Sequence, residues 1–266
     1  MNNAITGLAS TLASSVNDVQ SEIVKTQIDL AAGKRTLNPA ENGVVTRLSA
    51  QSSAYATVVQ NVVAAQNVIN VAQSGMTSIV DIMVQMKNLA VQSSSVGLSD
   101  SDRASIQVTF NNLALQVANL GTSASVNDNN LLDGTTLSVT TDITGNGDPT
   151  TTIGPVDVAT TADTLANLDI STSALAQAAL LSLTTEINTM SSGQASLSAS
   201  SVALEAQGKN AQKLSDGLAK VIDSIQNIDA TKLQAYLQNL NTQQSVDYYL
   251  VSQMNTEAAA VLTIFR

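Results

Sequence analysis

Residues 55–90 read YATVVQNVVAAQNVINVAQSGMTSIVDIMVQMKNLA, and their apolar side chains fall on a seven-residue beat: Val62, Ile69, Met76, Met83 and Ala90, flanked by Val58, Ala65, Ala72, Ile79 and Met86. A second beat runs Leu183, Met190, Leu197, Leu204, Ala211, Leu218 and Ile225. Apolar residues spaced this way line one side of an α-helix, and a seam sustained over several heptads has to be buried against another helix. Read from about Asn42 to Ser95, the first helix is roughly 80 Å long at about 1.5 Å per residue. A compact chain of this length has a radius of gyration of only about 18 Å. The expected fold is therefore mainly α: a long antiparallel helical coiled-coil rod formed by the N- and C-terminal segments, which points to a structural part rather than an enzyme.

Outward from these seams, the spacing predicts a first helix over residues 1–32, with Ile5, Ala9, Leu12, Val16, Val19, Ile23 and Leu30 on one stripe, Thr26 interrupting it and Gly33 stopping it. Asn38, Pro39 and Glu41 form a start signal for the next helix: a cap, a proline suited to the first helical position, and a carboxylate that reaches back to the cap. Ser99 and Asp102 repeat the capping pattern before a third helix bearing Ile106, Phe110, Leu113, Val117 and Leu120 and closed by Gly121. Residues 123–170 are rich in Thr, Asp, Gly and Asn with short alternating runs. They predict one or two β-hairpins, with turns near Asp133-Gly134 and Gly145-Asn146-Gly147-Asp148-Pro149. Helix resumes near Ser171 and runs to about Asn227. A final helix beyond Asp229 places Leu233, Leu237, Leu240, Val251, Met254, Ala258, Val261 and Phe265 in register. Gln244 and Asp247 fall in the same register, so this last seam is expected to lack a full partner within one chain.

Composition narrows the function. The chain is 44% hydrophobic, but its six aromatics are Tyr55, Phe110, Tyr236, Tyr248, Tyr249 and Phe265, four of them in the last 31 residues. Small aliphatic residues suit close helix packing, and the concentration of rings marks the C-terminal segment for a special contact. Cys and His are both absent, which removes disulfides, zinc sites and imidazole catalysis. The net charge is −10, and between Arg103 and Lys209 there are nine acids and no basic residue. Near-neutral ends pack together without self-repulsion, and phosphate binding lacks its basic stripe, so nucleic acid is not an expected partner. No run approaches a membrane span, and residues 1–15 do not have the pattern of a cleaved secretory signal; membrane insertion is not expected. Asp128, Asn130 and Asp133, or Asp142, Asn146 and Asp148, do not match calcium-loop spacing and are read as turn residues. The Asp100/Asp102 pair is read as helix-start chemistry, and no catalytic residue or cofactor site is assigned.

Several separated motifs, in order, resemble those of the bacterial flagellins. Leu30-Ala31-Ala32-Gly33-Lys34-Arg35-Thr36-Leu37-Asn38-Pro39-Ala40-Glu41-Asn42-Gly43 is similar to that family's L-S-S-G-x-R-I-N-S-A-x-D-D-A segment, and Asn88-Leu89-Ala90-Val91-Gln92 to its E-L-A-V-Q. Leu131-Leu132-Asp133-Gly134 matches L-L-D-G. Gln243-Gln244 and Val261-Leu262-Thr263-Ile264-Phe265-Arg266 resemble the Q-Q and V-L-S-L-F-R of its tail. The resemblance implies a nested arrangement: residues 1–38 and 230–266 as an inner coiled-coil domain lining a filament channel, 39–134 and 171–229 as a helical rod domain, and 135–170 as a small outer β/loop region. It implies an extracellular filament subunit, exported through the flagellar channel without a cleaved signal. Its implied partners are copies of itself, the flagellar export apparatus, a secretion chaperone at the C-terminal segment, and the filament cap and hook-associated proteins. The residues expected to join subunits are Ile5, Leu12, Val16, Val19, Ile23, Leu30, Leu233, Leu237, Leu240, Val251, Met254, Val261, Leu262, Phe265 and Arg266, with Gly33, Asn38, Pro39 and Glu41 as linker and cap.

One stretch departs from the family. Recognition of flagellins by a vertebrate innate immune receptor is associated with a segment like Q-R-x-R-E-L-A-V-Q, and here Val84-Gln85-Met86-Lys87-Asn88-Leu89-Ala90-Val91-Gln92 stands in its place. Gln85 replaces an Arg, Lys87 an Arg, and Asn88 a Glu. Weak or no activation of that receptor is expected, and a reporter-cell response at nanomolar monomer matching that of an enteric flagellin would contradict the expectation.

Overall fold

A computed structural model describes residues 2–143 and 149–264. Ile5, Ala258, Val261 and Leu262 lie within described helices, but their side chains, together with Phe265, Arg266 and the turn residues Gly145–Asp148, are outside the description. The chain is mainly α-helical, with α1 (Asn2–Ala32), α2 (Pro39–Ser93), α3 (Asp100–Ser123), β1 (Leu137–Thr140), β2 (Thr150–Ile153), α4 (Val158–Ala166), α5 (Ser173–Gln226) and α6 (Ala230–Ile264). It divides into two compact units, residues 1–50 with 217–266, and residues 51–216.

In the 51–216 unit, α2 and α5 run antiparallel. Ser52 and Ser215 bond through their hydroxyls at 3.1 Å, Gln73 Nε2 donates to Ser198 Oγ at 2.9 Å, and Gln194 Nε2 donates to Thr77 Oγ1 at 3.3 Å, so residue numbers rise on one helix as they fall on the other. Every residue of the 62–90 beat and its flanking stripe is buried, as are Leu183, Met190, Leu197, Leu204 and Ala211. Facing helices with such long seams need small residues wherever a bulky one intrudes. A Cβ on Gly193 would stand 2.9 Å from Met76 Cε and from Val156 Cγ2. Gly75 has the same reason: its Cβ would meet Ala124 and Leu132 at 3.1 Å, so this glycine marks a close approach rather than a bend.

α3 begins where Ser99 Oγ accepts from the Asp102 backbone N–H at 3.2 Å. It runs past Gly121 to Ser123, two residues beyond the expected stop. Gly121 is there for packing, since a Cβ would lie 2.7 Å from Val158 Cγ1. Asn130, buried, donates to the Gly121 carbonyl at 2.8 Å and accepts from the Leu132 N–H at 2.8 Å. That bracket turns the chain so that Leu131 and Leu132 both enter the core. The Leu-Leu-Asp-Gly motif is thus two core anchors followed by a turn, with Gly134 at φ +87°.

One hairpin forms, β1 and β2 antiparallel with Leu137 opposite Ile153 and Thr140 opposite Thr150. Asp133-Gly134 does not make a second; Asp133 instead forms an isolated bridge with Asp157. Helix α4 was not expected. Asp157 caps it by accepting from the Thr160 N–H at 3.1 Å, and Val158, Ala162 and Leu165 recur at helical spacing on its buried side. Residues 135–170 contribute to the core of this unit through Val139, Ile153, Val156, Val158, Ala162, Leu165 and Ile170.

The buried Arg103 joins the parts at the end of α2. Its guanidinium donates to the carbonyls of Ser93, of Ser95 at 2.8 Å and of Leu98 at 3.2 Å. The Ser93 carbonyl is an orphan acceptor of the α2 C-terminus, which a cation satisfies both as hydrogen-bond donor and as charge, and the Ser95 and Leu98 carbonyls belong to the loop that follows.

Candidate assembly surface

The other unit is built on α1 and α6, which pack against each other. The pairing is antiparallel: Ser15 meets Asp247 midway along both helices, while Glu22, Thr26 and Asp29 in the last part of α1 share a cleft with Asp229, Lys232 and Tyr236 at the start of α6. Val19, Ile23 and Leu240 are buried as one cluster, with Leu237 packed beside them. Leu12, Val16, Leu30, Leu233, Val251 and Met254 are half-buried.

This arrangement corrects one expectation. Thr26 and Asp247 do not break the seam, because each is buried with a hydrogen bond: Thr26 Oγ1 donates to the Glu22 carbonyl at 2.7 Å, and Ser15 Oγ donates to Asp247 Oδ2 at 3.0 Å. Each bond offsets part of the desolvation cost that made these positions look unfavourable. The last seam lies against α1, with Leu233, Val251 and Met254 half-buried.

What the seam leaves outside is a second apolar surface. Leu8, Val24 and Ile28 on α1 are 61%, 53% and 54% exposed, and on α6 Tyr236, Val246, Tyr248, Tyr249 and Leu250 are all exposed, Tyr249 to 66%. Sequence reading by heptads passes over these residues, since they sit off the beat. Their signal was the concentration of tyrosines in the last segment.

The linker between α1 and α2 is held as its motif predicts. Gly33 has φ +64°, the left-handed conformation of a helix terminator. Asp29, buried, accepts from the Thr36 N–H at 2.8 Å and from the Thr36 hydroxyl. Asn38 Oδ1 accepts from the Glu41 N–H at 2.8 Å while Glu41 Oε2 accepts from the Asn38 N–H at 3.0 Å, and Arg35 Nη2 donates to Glu41 Oε1 at 2.7 Å. The Asn38 N–H and then the Arg35 guanidinium hold the Glu41 carboxyl below its ordinary value. A depressed carboxylate contributes stability that is complete above the ordinary pKa near 4.5 and is lost as pH falls through the lower folded value. Acidification below about pH 4.5 should therefore lower the protection of the Asn38 amide, its exchange rate compared with that of an unstructured amide at the same pH. Glu41→Gln keeps an acceptor without a charge and should make that protection independent of pH over the range, a difference NMR protection factors would reveal.

The cleft beside this linker, about 700 Å³, is lined by cations already engaged: Lys25 with Glu22 at 3.8 Å, Arg35 with Glu41 at 2.7 Å and Lys232 with Asp229 at 3.8 Å. Among the described residues there is no group of three potential metal-binding side chains, and no helix is long and apolar enough to cross a membrane. On the α2 stretch Gln85 and Asn88 are exposed and Lys87 is half-buried, while Met86 and Ala90 are core.

The fold is that of a helical protein, with α1 paired to α6 in one unit and α2 paired to α5 beside a small hairpin in the other. The comparisons give the class its family. Residues 5–136 match the bacterial flagellin N-terminal helical region. The chain is 27% identical to flagellin FljO of Caulobacter vibrioides, over 94% of this chain and 93% of the relative, and 25% identical to a flagellin of Halalkalibacterium halodurans, over 75% and 74%. The fold is similar to that in the crystal structure of Bacillus cereus flagellin, with a TM-score of 0.51 at 19% identity, covering 57% of this chain and 88% of that one. The chain belongs to the bacterial flagellin family.

Proposed function

We propose that this chain is a structural subunit of a bacterial flagellar filament and that it polymerises through coupled folding and assembly of its terminal helices. The single observation that carries this reading is the apolar surface left on the α1–α6 pair after its seam is filled, in particular Val24, Ile28, Val246, Tyr249 and Leu250. Isolated helices are marginal in water, and the buried cluster between α1 and α6 is small, so the pair gains most of its order from contacts with further copies. A contact whose rotation does not close produces an open helical filament, so one self-complementary surface suffices for unlimited growth. In this reading residues 1–38 and 230–266 form the inner layer, and the seam residues shape the helix pair while the exposed ones join subunits. The filament is extracellular. Export through the flagellar channel, a chaperone on the C-terminal segment, and contacts with the cap and hook-associated proteins belong to the same reading.

Removing residues 256–266 is expected to abolish polymerisation while leaving the cooperative unfolding of the 51–216 unit unchanged. Electron microscopy of seeded protein and circular dichroism read the two outcomes, and normal filaments from the truncated chain would defeat the mechanism. Two rivals have distinct signatures. A hook–filament junction protein would not give long fibres from the chain alone. An adhesin acting through residues 135–170 would lose binding when the exposed Ser138, Thr140 and Thr152 are replaced by lysine, with filament formation untouched.

A further inference from the structure

We infer that the Ser15–Asp247 hydrogen bond selects one register for α1 against α6. The seam itself selects poorly. On α1 the stripe repeats as Leu12 and Val19, and as Ala9, Val16, Ile23 and Leu30; on α6 it repeats as Leu233, Leu240 and Met254. Sliding by one heptad so that Leu12 and Val16 replace Val19 and Ile23 opposite Leu237 and Leu240 leaves aliphatic groups opposite aliphatic groups, whereas the opposite slide brings Thr26 and Leu30 there; among the described residues the buried cluster that fixes the present alignment holds Val19, Ile23 and Leu240 with Leu237 beside them. Asp247 lies on that same beat, is 7% exposed, and takes its bond from Ser15 Oγ at 3.0 Å.

Each alternative alignment gives this carboxylate a worse neighbour. A heptad slip sets it against Leu8 or Glu22, and a slip of three or four residues against Leu12, Asp18, Val19 or Thr11. Three of these six are aliphatic and leave a buried charge unbonded, and two are carboxylates that repel it. Thr11 alone offers a hydroxyl. That slip, however, replaces Val19 and Ile23 by Ser15 and Val19 opposite Leu237 and Leu240, so an isoleucine leaves the cluster. A single polar position in an apolar seam is a known way to fix alignment at a cost in stability. Gln20 Nε2, donating to the Tyr248 hydroxyl at 3.2 Å, adds to the same alignment from the exposed side.

The chain has no cysteine, so two introduced thiols label cleanly. Spin labels at the exposed Asn17→Cys and Gln234→Cys are separated mostly along the helix axes, and a slip changes their distance directly. Labelled chain is diluted into excess unlabelled chain of the same sequence and measured by double electron–electron resonance in the polymer. The natural pair should give one distance. Asp247→Asn keeps an acceptor for Ser15 and should give the same one. Ser15→Ala with Asp247→Leu should keep the helices paired but add a second population, displaced along the axes by roughly 5–10 Å, one turn or one heptad. A single unmoved distance in that double variant would assign register to the Gly33–Asn38 linker and overturn the inference. Loss of the helix pair would overturn it too, because the bond would then be holding the helices together rather than choosing their alignment. If the unmodified chain forms no polymer, the proposed function fails, and register is read from the free chain with the same three outcomes.

Discussion

Replacing Arg103 by methionine should destabilise the 51–216 unit by about 2–3 kcal/mol, one of the two largest effects expected from any change in this chain. The side chain is buried, and its guanidinium is the donor to the carbonyls of Ser93, Ser95 and Leu98. Methionine fills much of the same volume, so the cost isolates the polar contribution: the carbonyls of the buried Ser93 and the half-buried Leu98 lose this donor, while that of the exposed Ser95 keeps the Leu98 N–H at 3.5 Å. A buried acceptor left without a partner costs about 1–3 kcal/mol, and the loop carbonyls add less because they can turn to water. Arg103→Lys should fall between the two, since a single ammonium cannot span three carbonyls with fork geometry. Urea unfolding followed by circular dichroism measures the series. Equal midpoints for the methionine and natural chains would mean that the carbonyls are satisfied without the arginine.

Excising residues 135–170 should abolish the cooperative unfolding of the same unit. The segment supplies Val139, Ile153, Val156, Val158, Ala162, Leu165 and Ile170 to the core. Burial of a single large aliphatic side chain contributes about 1.5–3 kcal/mol, and the six larger ones together rival the whole stability of a typical domain. A milder probe gives a graded answer: Leu165→Ala should cost about 2–5 kcal/mol, whereas substitutions at the exposed Thr136, Ser138 and Thr140 should stay within about 0.5 kcal/mol. A deletion variant that melts as sharply as the natural chain would mean that the core holds without this segment.

These two results bear on what the sequence made visible. The long seams were legible because a seven-residue apolar beat has one physical meaning, and the residues of the 62–90 beat are all buried. Linker and caps were legible because Gly33, Asn38, Pro39 and Glu41 each answer a local backbone demand that needs no knowledge of the rest of the fold. Helix α4 was hidden by composition: Thr160, Thr161 and Thr164 lower helix propensity, and the nine residues hold through the Asp157 cap and the burial of Val158, Ala162 and Leu165. Arg103 was hidden because a single cation near a helix start resembles a solvated one until the preceding loop folds over it. The division between seam and outer surface on α1 and α6 was misread for a related reason. Ser15 and Asp247 are 232 positions apart, and no local rule says that each satisfies the other.

The antiparallel match of α2 with α5 also sets an order of events during synthesis. Ser52 finds Ser215 only after 163 further residues, and Val62 meets Gly208 in the same late stretch. At translation rates of about 5–20 residues per second, the methionine-rich face of α2 waits roughly ten to thirty seconds for the helix that covers it. Throughout that interval the nascent chain presents a sticky stripe whose native cover has not yet been made. The core of the unit is therefore complete only once α5 has been made.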